Sequence, residues 1–431
     1  MIKSPKAIIA ASFILILSTL VLLGVLQHTA AGNRANTLRI MAPTWVIEKF
    51  KLTEATEEFM ENNPGVSIVV ERNNNYDSAY YPLMSKSLQN KYDIVIGGSR
   101  EHIVLFAASG TIIDFDEGFF DDDFRKEDFF PSFLELGNIN GNQYMIPLMG
   151  ELMSLVIRKD LFREAGLTYP DGSPVPPEDW EQLCSYAQKL TKENVGGEKI
   201  YGINIDLGSN MLVYSFYASL QAKRGNIFDD TASFIDVSGK DAKYLLDTWR
   251  RLVKDGLAPD YTFEDMDAGR NNFKKGTVAM LLTPHSRWTE ISEVMGEENV
   301  GILPLPGAEV NGSLTYIHGI TIPSNSPNKS LAFDFIKKHL LARDFQAWTM
   351  ENYGKIPSLI RNYDTSLSPE WNNILSWVRN ASTLPIYKNW PKIDKILQIE
   401  FQKCITGNQT SEATVNKVEK LLEGVDKTSG F

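Results

Sequence analysis

Short apolar runs alternate with amphipathic stretches through the first part of the chain. Three runs rich in aliphatic residues predict strands: LRIMAP (38–43), VSIVVE (66–71) and YDIVIGG (92–98). Between them, the spacing of Ala55, Phe59 and Met60 predicts a helix over 50–62, and the segment from Tyr80 to Leu88 predicts another. This β-α-β-α-β order with nearly continuous apolar strands is typical of a parallel sheet covered on both faces.

The chain beyond residue 150 mixes well-punctuated helices with a late group of strands. A short helix in KDLFREAGL ends at Gly166, and the next helix is predicted to have Pro177 near its first position. A third helix is predicted with Ser238 as its N-cap and Gly256 just past its end. Three later runs predict strands: GTVAMLLTP (276–284), VGILPLP (300–306) and YIHGITIP (316–323). This order indicates that the chain returns to complete sheets that it began earlier.

One carboxylate, Glu151, separates the apolar runs IPLMG and LMSLVI. It either caps a strand end and faces water, or it lies on a strand that crosses between two lobes and faces the cleft between them. A chain of 431 residues is too long for one ordinary core, so two lobes are expected. Both interpretations of Glu151 remain open on the residues alone.

The N-terminus predicts export. Lys3 and Lys6 precede an uncharged run from Ala7 to Leu26, and the small residues of HTAAG follow. The run is also long enough to span a bilayer, so cleavage after Ala31 and retention as a membrane anchor both remain open. Because no cysteine lies near this leader, a cysteine-anchored lipoprotein is not expected.

Charge and composition narrow the function classes. The formal net charge is −11 and no basic patch with interleaved aromatic residues occurs, so nucleic-acid binding is not expected. The sequence has no nucleophile elbow, phosphate loop or zinc-spaced histidine cluster, so neither catalysis nor a cofactor or metal is expected. The two cysteines, Cys184 and Cys404, permit a disulfide, although buried free thiols are favoured because they lie on separate predicted helices.

Several stretches, in order, resemble the extracellular solute-binding proteins of family 1, which serve ATP-driven importers and include the maltose-binding type. The stretches include FMENNPGVSIVVE, YDIVIGGS, FAASGTIIDFDE, NGNQYMIPL, FKKGTVAML, GILPLPG, GITIPSNSPNKSLAFDFIKKHL and GNQTSEATVNKVEKLL, within residues 38–423. The resemblance implies an α/β, bilobal, periplasmic-binding-protein-like (type II) fold with two mixed sheets flanked by helices and joined by hinge strands.

The same resemblance implies the domain organisation. Residues 1–31 are the export signal or anchor. The N-lobe comprises residues 37–148 and approximately 320–355. The C-lobe comprises 149–319 and approximately 356–431, with C-terminal helices packing back across the lobes.

The resemblance also implies the function. The lobes close around a small-molecule solute, most often a carbohydrate, and a monomeric protein outside the cytoplasmic membrane delivers it to an ABC permease. A membrane-anchored sensor ectodomain and a binder of a polyamine are the alternatives. A ferric-ion binder is disfavoured because the tyrosine pair at 80–81 lies inside a predicted amphipathic helix.

Strand ends and the resemblance together single out twelve candidate ligand-binding residues. They are Trp45, Gly98, Ser99, Arg100, Glu151, Asn210, Tyr214, His285, Ser286, Trp288, Tyr353 and Trp390. The aromatic rings are expected to stack on a sugar, and the carboxylate to accept hydrogen bonds from its hydroxyls. Alternatively, His285 has a structural role through its hydrogen bonds, and Arg100 forms an ion pair at the surface. Gly97 stands where maltose-type members carry a stacking tryptophan, which argues against a maltodextrin ligand.

Overall fold

The computed structural model describes residues 36–73, 91–97, 100–193, 196–208, 211–229, 234–260, 265, 267–363, 367–385, 387 and 389–427, without the side chains of 100–102. The helix predicted from Tyr80 to Leu88 lies outside these residues. Within them, no helix combines the length and apolarity needed to cross a membrane.

The described strands are numbered in chain order. They are β1 Thr37–Ala42, β2 Ser67–Arg72, β3 Ile94–Ile96, β4 Asn138–Ile139, β5 Asn142–Gln143, β6 Ile146–Arg158, β7 Lys192–Glu193, β8 Lys199–Ile200, β9 Asn204–Ile205, β10 Met280–Pro284, β11 Val300–Leu303, β12 Thr315–Thr321 and β13 Ile356–Pro357.

The described α-helices are numbered in the same way. They are α1 Thr44–Lys49, α2 Leu52–Asn62, α3 Arg100–Ala108, α4 Pro131–Glu135, α5 Lys159–Glu164, α6 Trp180–Leu190, α7 Met211–Arg224, α8 Lys240–Lys254, α9 Ala268–Lys274, α10 Ser286–Met295, α11 Ala308–Asn311, α12 Lys329–Phe335, α13 Arg343–Tyr353, α14 Pro369–Arg379, α15 Trp390–Ile405 and α16 Ser411–Leu422.

The central sheet has two halves that share the long strand β6. Its main path runs β2-β1-β3-β12-β6-β10-β9, and β11 and β13 also pair with β6. Strands β1, β2 and β3 pair in parallel, which confirms the parallel sheet predicted from the apolar runs. The first half of β6 pairs with β12 and β13, and its second half pairs antiparallel with β10 and β11.

Two large hydrophobic cores lie on either side of this crossing. The first joins α2 and the parallel strands through residues such as Ile40, Phe59 and Ile146. The second is larger and joins the far half of β6 to the helices α6, α7, α8 and α15, through residues such as Leu155 and Phe216. The strand pattern and the two cores give the bilobal, mixed α/β, type II fold that the sequence implied.

The helix boundaries differ from two of the predicted caps. Helix α8 has Gly239 rather than Ser238 at its N-cap, and the Asp236 carboxylate accepts the backbone N–H of both residues. Helix α6 begins at Trp180 behind the Asp179 cap, so Pro177 lies two residues before the cap instead of at the first position. Asp179 accepts the backbone N–H of Gln182 in the first turn of α6, whereas Asp236 holds the segment that leads into α8.

The helix predicted over 50–62 is confirmed as α2, although it begins two residues later, at Leu52. Lys51 before it adopts a left-handed conformation with φ of 49°, which separates α2 from α1. The predicted helix ends at Gly166 and Gly256 are confirmed, with φ of 67° and 68°.

The C-terminal helices pack in different parts of the molecule. Helix α14 packs with α4 through Trp377 and Phe133, in a cluster that also holds Ile317 of β12. Helices α15 and α16 pack on the second core. Cys184 and Cys404 are both free thiols, as the sequence favoured; Cys404 is buried and Cys184 is half-buried.

Candidate functional site

Glu151 lies in the middle of the strand that passes between the two halves of the sheet. Its register partner on β12 is Tyr316, and on the other side Lys355 directly precedes β13, whose Ile356 pairs with Gly150. The Glu151 side chain is buried, with only 6 % of the residue exposed. The interpretation of Glu151 as a water-facing carboxylate at a strand end is therefore wrong, because the strand continues past it to Arg158.

The turn after β10 brings a hydroxyl to this carboxylate. The backbone N–H of Leu152 donates to the ring atom Nδ1 of His285 at 3.1 Å, and the backbone N–H of His285 donates to the Leu152 carbonyl at 2.8 Å. These bonds hold the start of α10 against β6, so that the Ser286 hydroxyl donates to Glu151 Oε1 at 2.6 Å. Burial lowers the pKa of His285 to about 3, so the imidazole is neutral near pH 7. Since His285 is fully buried, the structure favours its structural alternative.

Lys355 is the cationic partner of Glu151. Its ammonium contacts Glu151 Oε1 and lies 5.6 Å from the centroid of the Trp45 ring. Burial and the neighbouring Lys49 charge lower the pKa of Lys355 to about 7, while the carboxylate acts in the opposite direction because it stabilises the ammonium. Both donors use Oε1. Glu151 Oε2 therefore has no donor among the described residues and can accept a hydrogen bond from a ligand.

Four rings extend from this carboxylate across both halves of the molecule; we call Trp45, His318, Tyr316 and Tyr214 the aromatic row. Successive ring centroids lie 4.8, 5.1 and 5.4 Å apart in edge-on contacts. Trp45, Tyr316 and Tyr214 are half-buried, and the Tyr214 hydroxyl donates to the Thr315 carbonyl at 2.9 Å. The row runs from α1 beside the first core to α7 beside the second.

Of three further aromatic candidates, one lies near the aromatic row and two lie away from it. Tyr353 is near it, because its ring is 5.2 Å from Phe50, which also contacts Trp45. Trp288 packs instead against Trp371, with centroids 6.4 Å apart.

Trp390 starts α15 and packs on the second core beside Tyr387, 6.2 Å away between centroids. No described ring contact joins it to the aromatic row. Gly98, Ser99 and Asn210 lie outside the described residues, as does the side chain of Arg100, which starts α3.

Sequence reasoning missed Tyr316, His318, Lys355 and Arg287. The alternation of Tyr316 and His318 in TYIHGI places both on one face of β12, a period-2 signal that was available. Nothing in the local pattern distinguishes Lys355 from other surface lysines. Burial lowers the pKa of His318 to about 4, and the charge of Arg287 adds to this effect. Arg287, which directly follows Ser286 in α10, therefore lies close enough to the aromatic row to act on His318.

The two cores joined by β6 give the bilobal α/β fold of the solute-binding class. The sequence matches the description "Bacterial extracellular solute-binding protein" over residues 48–340, and the chain belongs to that family. The family and its fold are those of transport components that bind solutes without chemistry, and the family name implies export.

Proteins of known sequence or structure agree with this assignment. The chain is 24 % identical over 390 residues to a protein of Brucella abortus (strain 2308) named as a binding protein, covering 87 % of this chain and 89 % of that one. It is 25 % identical over 244 residues to a mannitol-binding protein of Pseudomonas aeruginosa, covering 54 % and 51 % of the two chains.

Solved structures give the same fold. A solute-binding protein of an ABC transporter from Thermotoga lettingae, bound with α-D-tagatose, has a TM-score of 0.74 at 20 % identity. The maltose-bound MalE3 of T. maritima has a TM-score of 0.73 at 19 % identity. Each comparison covers 90 % of this chain and 99 % of the other.

Proposed function

We propose that this protein is the extracytoplasmic substrate-binding component of an ABC importer. Its two lobes close around a sugar or a sugar-like polyol, and the closed form delivers that solute to a membrane permease. The observation that carries the proposal is the buried Glu151 carboxylate, with one oxygen open to a donor, beside the aromatic row.

The chemistry of this group suits a hydroxylated ring or chain. A sugar has C–H faces that pack on aromatic rings and hydroxyls that need directed hydrogen bonds. Glu151 Oε2 supplies a charge-assisted acceptor, and such bonds are roughly twice as strong as neutral ones. The Lys355 ammonium, next to Trp45, supplies donors that can reach a ligand oxygen.

The similar proteins support the same solute class. One is named for mannitol, and others are described with α-D-tagatose and with maltose. All three solutes are neutral and rich in hydroxyls. The glycine at position 97, in place of the stacking tryptophan of maltose-type proteins, favours a smaller solute than a maltodextrin.

We propose the lobe boundaries implied by the sequence, residues 37–148 with approximately 320–355, and 149–319 with approximately 356–431. The change of pairing partners along β6 supports a crossing near Glu151, since Leu152 pairs with β12 and Met153 pairs with β10. The protein acts as a monomer on the outer side of the cytoplasmic membrane, free or tethered by its N-terminal segment.

The test is a thermal-shift and calorimetric screen of the purified protein against D-mannitol, D-tagatose and maltose, with putrescine and ferric ion included. A solute at 100 times its Kd adds about 2.7 kcal/mol to the free energy of unfolding, which gives a clear shift in the melting midpoint. We expect one or more of the three neutral solutes to shift it. A shift with putrescine or ferric ion alone would overturn the assignment to sugars.

Variants then test the role of Glu151. Glu151→Gln removes the charge from the acceptor, and we expect about a 10- to 100-fold weaker Kd, because a hydrogen bond to a charged group contributes about 1.5–3 kcal/mol. Glu400→Gln is the matched control, since Glu400 is also buried and also contacts a lysine, Lys403, but lies on α15. Equal losses of affinity in both variants would show that Glu151 acts on the fold and not on the solute.

A further inference from the structure

Two buried side chains at the end of β9 have polar atoms without a hydrogen-bond partner among the described residues. Asn204 has no exposed surface, and both its Oδ1 and Nδ2 atoms are without a partner. Asp206 is 7 % exposed, and its Oδ1 atom is also without a partner. Buried polar groups in folded proteins are nearly always hydrogen-bonded, so this pair needs an explanation.

These two side chains belong to the same edge of the sheet as the candidate site. Residues 204 and 206 are two apart and so point to one face of the strand. Strand β9 pairs in parallel with β10, with Asn204 opposite Leu281, so both strands end at the same edge. Ser286, which donates to Glu151, begins the helix immediately beyond that end of β10.

Arg287 connects the two regions electrostatically. Its charge lowers the pKa of His318 in the aromatic row, and it also acts on Asp206. Helix α9 packs closely on Asn204, because a side chain at Gly269 would overlap its amide group.

The charges around Asp206 nearly balance. Arg287 of α10 and Arg270 of α9 favour its ionised form, while Asp265 and Asp267 oppose it. The terminal nitrogens of Arg270 pair with Asp267 and with Glu290 of α10, but its Nε atom is buried without a partner. Because these charges nearly balance, the surroundings favour neither an anion nor a cation. An uncharged ligand therefore fits this position best.

We propose that Asn204 and Asp206 form a second polar subsite, in the C-lobe, that binds hydroxyl groups of an uncharged polyhydroxylated solute. A hydroxyl can donate to Asp206 Oδ1 while its oxygen accepts from Asn204 Nδ2. Asn204 Oδ1 then accepts from a neighbouring hydroxyl, so the pair selects two adjacent hydroxyls. This inference rests on the proposed function and adds to it two side chains that recognise the hydroxyl groups of the solute.

Protonation of Asp206 should control this subsite. Burial raises the pKa of Asp206 to about 7, with Asp267 and Asp265 adding to the rise and the two arginines opposing it. A hydroxyl donor favours the ionised carboxylate, so the solute binds the ionised form more tightly. Only about one tenth of the sites are ionised one unit below the pKa, so the contribution of Asp206 to the affinity should rise about tenfold between pH 6 and pH 8.5.

The test is calorimetric titration of the wild-type protein and of Asp206→Asn with D-mannitol, D-tagatose and maltose at pH 6 and pH 8.5. We expect Asp206→Asn to bind about 10- to 100-fold more weakly at pH 8.5, and this difference from the wild-type protein to shrink about tenfold at pH 6. Lys355 titrates in both proteins, so its effect cancels in the comparison. The control is Asp171→Asn, an exposed aspartate of the same lobe that bonds only within its own turn. It should keep both the wild-type affinity and its pH dependence.

The outcomes separate this inference from the proposed function. If the wild-type protein binds a sugar and Asp206→Asn binds it equally well at both pH values, the subsite is wrong and the proposed function stands. If the wild-type protein binds none of the three solutes, both proposals fail for this solute class. A loss of affinity without a change in the pH profile would show that Asp206 supports the fold and does not contact the solute.

Discussion

The most demanding prediction concerns the stability of the protein without solute. An ordinary aspartate has a pKa near 3.8, and burial raises that of Asp206 to about 7. Each pKa unit corresponds to 1.36 kcal/mol, so holding the ionised carboxylate in the folded protein costs about 4 kcal/mol at high pH. Asp206→Asn removes this titration while keeping the size of the side chain.

The sign follows from proton linkage. Between pH 4 and pH 7 the folded protein holds a proton on Asp206 that the unfolded chain has released, so stability falls as pH rises through this window and is level above it. From pH 5 to pH 8 the loss amounts to about 2–3 kcal/mol in the wild-type protein. Asp206→Asn lacks this loss.

The assay is urea unfolding of both proteins at pH 5 and pH 8, followed by tryptophan fluorescence. The stability of Asp206→Asn relative to the wild type should increase by about 2–3 kcal/mol between the two pH values. Asp171→Asn is the control, because the hydrogen bonds to Ser173 lower the pKa of that exposed carboxyl and leave it ionised throughout this range. A difference between Asp206→Asn and wild type that stays constant with pH would refute the reasoning.

Two further predictions test the elements that build the site. His285→Asn keeps an acceptor for the Leu152 N–H but does not titrate; because the folded pKa of His285 is about 3, the wild-type protein should lose stability as pH falls below about 6.5, and the variant should lose less in acid unfolding followed by circular dichroism. The same acid profile for both proteins would exclude this role. Gly150→Ala would push a methyl group into the Phe133 ring and should cost about 1–3 kcal/mol in urea unfolding. Adding Phe133→Leu should recover part of that loss, and purely additive losses would contradict the proposed clash.

Local patterns predicted much of the scaffold correctly. The apolar runs gave the parallel arrangement of β1, β2 and β3, because strands buried on both faces are apolar along their whole length. Gly166 and Gly256 marked helix ends because the left-handed conformation there favours glycine. The wrong cap at Ser238 has an equally local cause, since Asp236 two residues earlier accepts the backbone N–H groups of Ser238 and Gly239, and the helix begins after Gly239.

Local sequence patterns predicted the candidate site only in part. The position of Glu151 between two apolar runs left open whether it ends a strand or lies on a crossing strand, and the pairing of β6 with both halves of the sheet decides for the crossing strand. Its partner Lys355 is about two hundred residues away, and no periodicity connects them. The fully buried His285 shows the opposite problem, because a polar residue at a strand end has the same local sequence signal whether it faces a ligand or holds the backbone.

The sequence by itself predicted the parallel strands and most of the helix ends, because these depend on the spacing of apolar residues and glycines within short segments, which is a local property. The two-lobed organisation was predicted from the chain length and the family resemblance. Only the tertiary structure decided which side chains surround Glu151, because strand register and helix packing bring together Trp45, Tyr214, Ser286, Tyr316 and Lys355 from separate parts of the chain. The unpartnered state of Asn204 and Asp206 is likewise visible only after folding, since burial and neighbouring charges create it.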